Sequence, residues 1–234
     1  MNPHSPTPDD AARDAAWREV LPLEQALAAL PAHSKDLLQE ARAAWCREQG
    51  LLLFAYGSLI WRPGFEAVEQ WPAQVQGYHR ALRLRSLSNR GNREQPGLVL
   101  TLLPGGSCRG LVYRVAPKHS ARVLDELWVR EMVVGSYTPR WLHCHTKAGP
   151  RLALSFTLKR NSPARVGPLD DAALLHILRH ARGRYGSTLD YLERCVLGLR
   201  EHGIRDAELE RQLRLAATHG LCETLAPIRR RPGP

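Results

Sequence analysis

Long apolar runs are missing from this sequence of 234 residues. No stretch approaches the roughly 18 consecutive apolar residues of a membrane-spanning helix, so we expect no membrane span. Residues 1–10 also lack the basic and apolar regions of a secretory signal, and we therefore expect a cytoplasmic protein. The same stretch is rich in proline, and we expect it to be disordered.

Cysteine is present, but not in a pattern that builds a disulfide framework or a zinc knuckle. The chain has five cysteines, an odd number at wide spacings, and no C-x-x-C pair. His143-Cys144-His145 would place two imidazoles on one strand face, but no third and fourth ligand with matching spacing accompanies them. We interpret this segment as strand surface and expect reduced, partly buried thiols.

Lysine is scarce, because it supplies only four of the 33 basic residues, and arginine supplies the rest. The net charge of +10 suggests nucleic acid as a partner. However, the basic residues are spread along the chain, and no stacking aromatics are interleaved among Arg83, Arg85, Arg90 and Arg93. Arginine also binds carboxylates with two hydrogen bonds, so an acidic substrate is equally compatible with this composition.

Signature loops for nucleotides and for serine hydrolases are also missing. The sequence contains neither G-x-x-x-x-G-K-[ST] nor G-x-G-x-x-G, the common phosphate-cradling motifs. Ser58 does not lie in G-x-S-x-G, and no His–Asp pair lies near it in sequence. A hydrolase triad is therefore not indicated.

The most informative segment present is 51–61. Its first five residues continue an apolar run after Gly50, which predicts a buried strand. Tyr56-Gly57-Ser58 breaks the run, and Arg62-Pro63-Gly64 ends the segment in a turn. Glycine permits a close approach to the backbone, whose N–H groups could hold a carboxylate or an oxyanion. A plain strand end with a glycine turn is the alternative.

The order of patterns along the chain predicts an α+β protein. Residues 11–30 and 34–49 have helical spacing, with Ser34 as a candidate N-cap, and predict an N-terminal helical extension over 1–50. Residues 51 to about 160 have strand and turn patterns, with a polar loop over 88–96.

Further signals mark turns and helix starts. Pro104-Gly105-Gly106-Ser107 predicts a hairpin turn, and helical patterns begin at Asp170 and at Ser187. A last helix is predicted over 206–219. The main domain is expected over 51–220 and a basic tail over 221–234.

A carboxylate lies on the apolar stripe of the helix predicted over 121–132. At about 100° per residue, Glu131 falls in the same narrow stripe as Leu124, Leu127 and Trp128. Arg130 points elsewhere. A carboxylate that faces the core is costly unless it is paired or functional, and burial would raise its pKa toward that of a general base. The alternatives are a structural ion pair with an arginine, or a helix that ends earlier.

Five segments in order resemble one known family. Tyr56 to Pro63 is similar to the Y-G-S-L-[IV]-W-[RK]-P signature of the ChaC family of gamma-glutamylcyclotransferases. The other four resemble it at compatible spacing over about residues 50 to 215: Gly77-Tyr78-His79-Arg80; Arg90-Gly91 with Pro96-Gly97-Leu98-Val99; Val129-Arg130-Glu131 with Gly135-Ser136-Tyr137; and Gly186 to Leu192.

The resemblance implies a compact mixed-strand barrel with peripheral helices. It implies cleavage of glutathione to 5-oxoproline and cysteinylglycine without metal or cofactor. The family's catalytic glutamate matches Glu131, and two tyrosines match positions near the substrate, Tyr137 and Tyr191. The family's substrate loop matches Tyr56, Gly57, Ser58, Leu59, Ile60 and Trp61.

The chain departs from some family members at Leu82-Arg83-Leu84-Arg85, where those carry aromatic and glutamine residues. Arg83 is our candidate for contact with a substrate carboxylate. We expect a monomer or a weak dimer that binds neither nucleic acid nor membrane. One alternative is a cyclotransferase for another γ-glutamyl amine or dipeptide, and a second is a non-catalytic module that binds acidic ligands or nucleic acid.

Overall fold

The computed structural model describes residues 21–225, and a closed barrel of five strands forms its centre. Around the barrel the strands follow the order β1-β3-β2-β4-β5, and a parallel contact between β1 and β5 completes the circle. The predicted α+β class and mixed-strand barrel are confirmed. The strands are β1 (Leu51–Ala55), β2 (Glu69–Ser86), β3 (Gly97–Val115), β4 (Thr138–Thr146) and β5 (Gly149–Thr157).

One long antiparallel hairpin supplies most of the barrel wall. β2 and β3 pair from Glu69 opposite Arg114 to Ser86 opposite Gly97. The loop between the two strands is the polar segment predicted over 88–96, so that prediction is confirmed. β1 pairs with the C-terminal part of β3. Its residues Leu51, Leu53 and Phe54 are almost fully buried.

The hairpin turn predicted at 104–107 is wrong, because β3 continues through this segment. Gln76 pairs with Ser107 and Tyr78 with Pro104, so Gly77 alone lies opposite Gly105 and Gly106. These three glycines have φ values of 80°, 102° and 73°, which residues with a Cβ rarely adopt. The glycines therefore form a bulge in two paired strands, and the extra residue bends the sheet where a turn was expected.

Within the described residues, two helices precede the barrel, α1 (Leu23–Ala28) and α2 (Ala32–Ala43), followed by a 3₁₀ turn at Arg47–Gln49. Ser34 is not an N-cap, because it lies inside α2 with Pro31 at the cap position. Its buried hydroxyl donates to the Met132 carbonyl at 3.0 Å, and the Trp128 indole donates to the Ser34 carbonyl at 2.7 Å. These two hydrogen bonds therefore join the described part of the N-terminal extension to the helix that ends at Glu131.

Helices surround the barrel as the resemblance implies. The short α3 (Ser58–Trp61) and α4 (Pro117–Glu131) lie at the site described below. The described residues continue with α5 (Asp171–His180), α6 (Thr188–Glu201), which also reaches the site, and α7 (Ala207–Thr218). A small two-stranded sheet of β6 (Arg182–Gly183) and β7 (Gly186–Ser187) precedes α6.

Capping side chains start these last three helices, as predicted for α5 and α6. Asp170 accepts from the Ala173 amide at 2.8 Å. Ser187 and Asp190 form the reciprocal capping box at the start of α6. Asp206 caps α7 by accepting from the Leu209 amide at 3.1 Å.

All five cysteines are free thiols, as the spacings predict, and Cys108, Cys144 and Cys195 are buried. None of the helices within residues 21–225 has the length and apolarity that crossing a membrane requires. The disorder expected at residues 1–10 lies outside the described residues, as does most of the expected basic tail at 226–234.

Candidate active site

A small cavity lies where the end of β1, the first residues of β3 and the ends of three helical segments meet. Its volume is about 30 Å³. Seven predicted site residues border it, and Leu100 of β3 completes the lining. The predicted residues in the lining are Tyr56, Gly57, Ser58, Leu59, Glu131, Tyr137 and Tyr191.

The chain enters this cavity through the abrupt end of β1. The apolar run stops at Ala55, and α3 begins three residues later at Ser58. A Cβ added to Gly57 would lie 3.2 Å from the Tyr191 hydroxyl and 3.5 Å from the Leu100 Cβ, so glycine permits this close approach. The first amides of α3, at Ser58 and Leu59, have no carbonyl from a preceding turn, and both residues border the cavity.

Three tyrosine hydroxyls are anchored around the cavity by backbone groups. Tyr56 donates to the Phe156 carbonyl at 2.7 Å, and Tyr137 donates to the Leu100 carbonyl at 3.1 Å. The Tyr191 hydroxyl accepts from the Leu100 amide at 3.2 Å. Burial raises the pKa of all three phenols well above the ordinary value, so they remain neutral.

Glu131 is the last residue of α4, and its side chain is 17% exposed. Burial raises the pKa of its carboxyl, and the neighbouring Arg130 guanidinium opposes part of that rise. The carboxylate thus combines a raised proton affinity with access to a cavity, which is the combination that general bases need.

Arg130 connects this carboxylate to the glycine loop, the segment from Tyr56 to Leu59. Its Nε lies 3.2 Å from Glu131 Oε1, and its Nη2 donates to Ser58 Oγ at 3.0 Å. Its Nη1 donates to the Arg62 carbonyl at 2.9 Å and to the Pro63 carbonyl at 3.3 Å. Sequence reasoning placed Arg130 off the apolar stripe and gave it no role. The available signal was a cation adjacent in sequence to a carboxylate expected to be buried.

Three predicted substrate contacts lie outside this lining. Ile60 is buried, and its carbonyl accepts from the Tyr113 hydroxyl at 3.2 Å. Trp61 packs edge-on against Tyr191, with ring centroids 6.4 Å apart. Arg83 lines a different cavity, beside the start of α7. Their contact with substrate stays a prediction.

Metal ligation has no obvious place in the described part of the chain. No three His, Cys, Asp or Glu side chains within residues 21–225 cluster as ligands. His143 and His145 are exposed on β4, whereas Cys144 is buried on the opposite face. This arrangement agrees with the interpretation of that segment as strand surface.

Comparison with known proteins identifies the family. The family model described as ChaC-like protein matches residues 51–218, which is most of the chain. The chain belongs to the ChaC-like family. The matched region contains the whole barrel, helices α3 to α7 and every residue that lines the cavity.

Individual relatives agree with this assignment. A glutathione-specific gamma-glutamylcyclotransferase from Escherichia coli K12 is 32% identical over 169 residues, covering 69% of this ChaC-like chain and 73% of the relative. One of the same name from Schizosaccharomyces pombe is 30% identical over 193 residues, covering 71% and 94%. The crystal structure of a yeast gamma-glutamyl cyclotransferase specific to glutathione has a TM-score of 0.64 at 24% identity, covering 73% and 97%, and supports the fold.

Proposed function

We propose that this ChaC-like protein cleaves glutathione to 5-oxoproline and cysteinylglycine. One observation carries the proposal: the Glu131 carboxylate, whose pKa is raised by burial, borders a cavity together with the Tyr56–Leu59 loop. The names of the Escherichia coli and Schizosaccharomyces pombe relatives supply the substrate.

The reaction is an intramolecular aminolysis. The α-amine of the γ-glutamyl group attacks its own δ-carbonyl carbon, a five-membered lactam forms, and the amide nitrogen of cysteinylglycine leaves. At neutral pH the amine is protonated and cannot attack. Glu131 would accept that proton and return one to the leaving nitrogen, and its raised pKa suits both transfers. The chemistry needs no protein nucleophile and no water.

The loop would bind and orient the substrate while the proton moves. The Ser58 and Leu59 amides at the start of α3 are donors for a substrate carboxylate or for the developing oxyanion, and losing such a donor typically costs about 3–4 kcal/mol. The neutral tyrosines add fixed hydroxyl groups. Holding the amine against the carbonyl can contribute roughly 7–11 kcal/mol, which is why positioning matters more here than a reactive side chain.

The cavity is small for this task. A volume of about 30 Å³ is far below that of a tripeptide, so substrate must displace bordering side chains or bind with only its reacting end inside. The segment after Glu131 carries two strongly exposed apolar side chains, Val133 at 57% and Val134 at 77%. We propose that these residues contact the substrate portion that lies outside the cavity.

A substrate panel tests the proposal. The purified protein is incubated with glutathione, γ-glutamylcysteine and γ-glutamylalanine, and 5-oxoproline is measured for each. We expect kcat/KM for glutathione to exceed the others by at least about tenfold. Faster turnover of a dipeptide would move the protein to the alternative cyclotransferase class, and no 5-oxoproline from any of the three would overturn the reaction itself.

Two further properties follow as proposals. Five free thiols suit a reducing compartment, which supports a cytoplasmic location. We also propose that the protein works as a monomer or weak dimer.

A further inference from the structure

A second and much larger cavity lies near the first one, and Arg80 lies between the two. Its volume is about 500 Å³, large enough for a small metabolite. It is bordered by the bulge region of β2 and β3 and by the start of α7. The charged residues of its lining are Arg80, Arg83, Arg109, Arg205, Asp206 and Glu208.

The acidic residues of this cavity already have cationic partners. Asp206 accepts from Arg80 Nη1 at 2.6 Å. Glu208 accepts from both Nε and Nη2 of Arg211 at 3.0 Å, and the pKa of its carboxyl is lowered chiefly by that contact. Both carboxylates therefore already pair with arginines of the protein.

Three of the arginines make no such close contact. Within residues 21–225, the side chains of Arg83, Arg109 and Arg205 have no hydrogen bond or ion pair to another side chain or to the backbone. Arg83 is half-buried, whereas the other two are exposed. The cavity thus gathers three guanidinium groups whose donors are uncommitted, and each can bind a carboxylate or phosphate with two hydrogen bonds.

A buried polar atom in the same lining also lacks a partner. Gln212 is 9% exposed, and its amide nitrogen donates to Glu208 Oε1 at 2.9 Å, which fixes the orientation of the amide. Its Oε1 is buried and accepts no hydrogen bond from the described residues. An unpaired buried acceptor is uncommon in folded proteins, and here it adjoins the cavity with the uncommitted arginines.

We propose that this cavity is a second binding site, for a small anion with at least two negative charges carried by phosphate or carboxylate groups. It is separate from the cavity at Glu131, because the two share no lining residue. Arg80 lies between them, since its Nε donates to the Tyr56 carbonyl at 2.5 Å and its Nη1 binds Asp206.

Calorimetric titration of the full-length protein tests this site. Pyrophosphate and citrate serve as separate probes, because they carry the two candidate anionic groups. We expect one of them to bind with a Kd below the millimolar range. We expect Arg109→Gln and Arg205→Gln each to weaken it by about tenfold, as each removes a charge-assisted contact. The stronger probe identifies the anionic group.

Arg140→Gln is the matched control, because this exposed arginine of β4 carries the same charge outside the cavity. We expect its Kd to stay within about twofold of the wild-type value. Absence of binding for both probes, or an equal loss in Arg140→Gln, would overturn the proposal. A failed cyclotransferase assay would not affect it, since the readout is binding and uses neither glutathione nor Glu131.

Discussion

At the scale of single residues, Glu131 is the position that sequence patterns locate best. The spacing of Leu124, Leu127 and Trp128 places it on a buried stripe, and the structure ends α4 at this residue beside a cavity. Arg130 could not be located in this way, because helical periodicity assigns a face and not the direction of a long side chain. Its three hydrogen-bond partners lie about 70 residues earlier in the chain.

The raised pKa of Glu131 predicts a pH-dependent stability. A carboxyl whose folded-state pKa lies above its ordinary value of 4.5 binds protons more tightly in the folded state. Its stabilising contribution is therefore complete below that ordinary value and is lost as pH rises through the raised one. Glutamine does not titrate, so we expect the free energy of unfolding of Glu131→Gln, relative to wild type, to increase over this window.

Urea unfolding of both proteins from about pH 4 to about pH 8 measures this difference. It amounts to about 1.4 kcal/mol when the folded-state and unfolded-state pKa values differ by one. A difference that stays constant across the range, or that declines with pH, would mean that burial does not raise the pKa of Glu131.

Arg130 is predicted to position both the carboxylate and the glycine loop. Arg130→Lys keeps the charge but cannot span Ser58, Glu131 and the Arg62 carbonyl at once. We expect kcat/KM for glutathione to fall by about tenfold or more, with the acidic limb of its pH profile displaced.

Arg122→Lys on the same helix is the control, since its side chain is 78% exposed and pairs with Glu126. Equal activity in the two lysine variants would show that Arg130 has no positioning role.

At the scale of secondary-structure elements, polar residues at helix starts predict the structure more reliably than glycine-rich segments predict turns. Asp170 and Ser187 cap helices because their side chains bind amides within the same turn, so the signal is local. Pro104-Gly105-Gly106-Ser107 has the composition of a hairpin turn. It forms a bulge instead, because β3 continues through it and Gly77 of β2 lies opposite. That pairing joins segments about 30 residues apart, which no local pattern records.

The caps of α5 and α6 offer a matched pair of substitutions. We expect Ser187→Ala and Asp170→Ala each to lower the free energy of unfolding by about 1 kcal/mol, because each leaves a first-turn amide without its acceptor. Of these two helices, only α6 carries a residue of the cavity lining, Tyr191. Glutathione turnover should therefore decline in Ser187→Ala alone, and an equal decline in both would refute this link between the cap and the site.

At the scale of the whole molecule, the described part of the N-terminal extension and the barrel share one hydrophobic core. Leu30, Leu38, Ala41 and Trp45 belong to the same buried cluster as the barrel leucines. The sequence predicts the extension as helical, but its docking depends on Ser34 and Trp128, which are distant in sequence. Amphipathic spacing identifies the apolar face of a helix, but it does not identify the element that packs against that face.

Leu38→Ala is predicted to destabilise the whole protein. Leu38 is 4% exposed, so its truncation leaves a cavity and should lower the free energy of unfolding by about 2–5 kcal/mol in a single transition. Leu152→Ala, on a strand residue that is 45% exposed, should cost far less. A separate low-stability transition in Leu38→Ala, with the main one unchanged, would show that the extension folds independently of the barrel.

The most direct test of the account compares wild type, Glu131→Gln and Glu126→Gln with glutathione, using mass spectrometry to quantify 5-oxoproline and cysteinylglycine. Glu126 lies on the same helix and pairs with exposed Arg122, so its variant controls for the loss of a carboxylate. We predict equimolar products from wild type and Glu126→Gln, and a rate about 10²–10⁴ times lower for folded Glu131→Gln. A Glu131→Gln rate close to wild type would contradict the account.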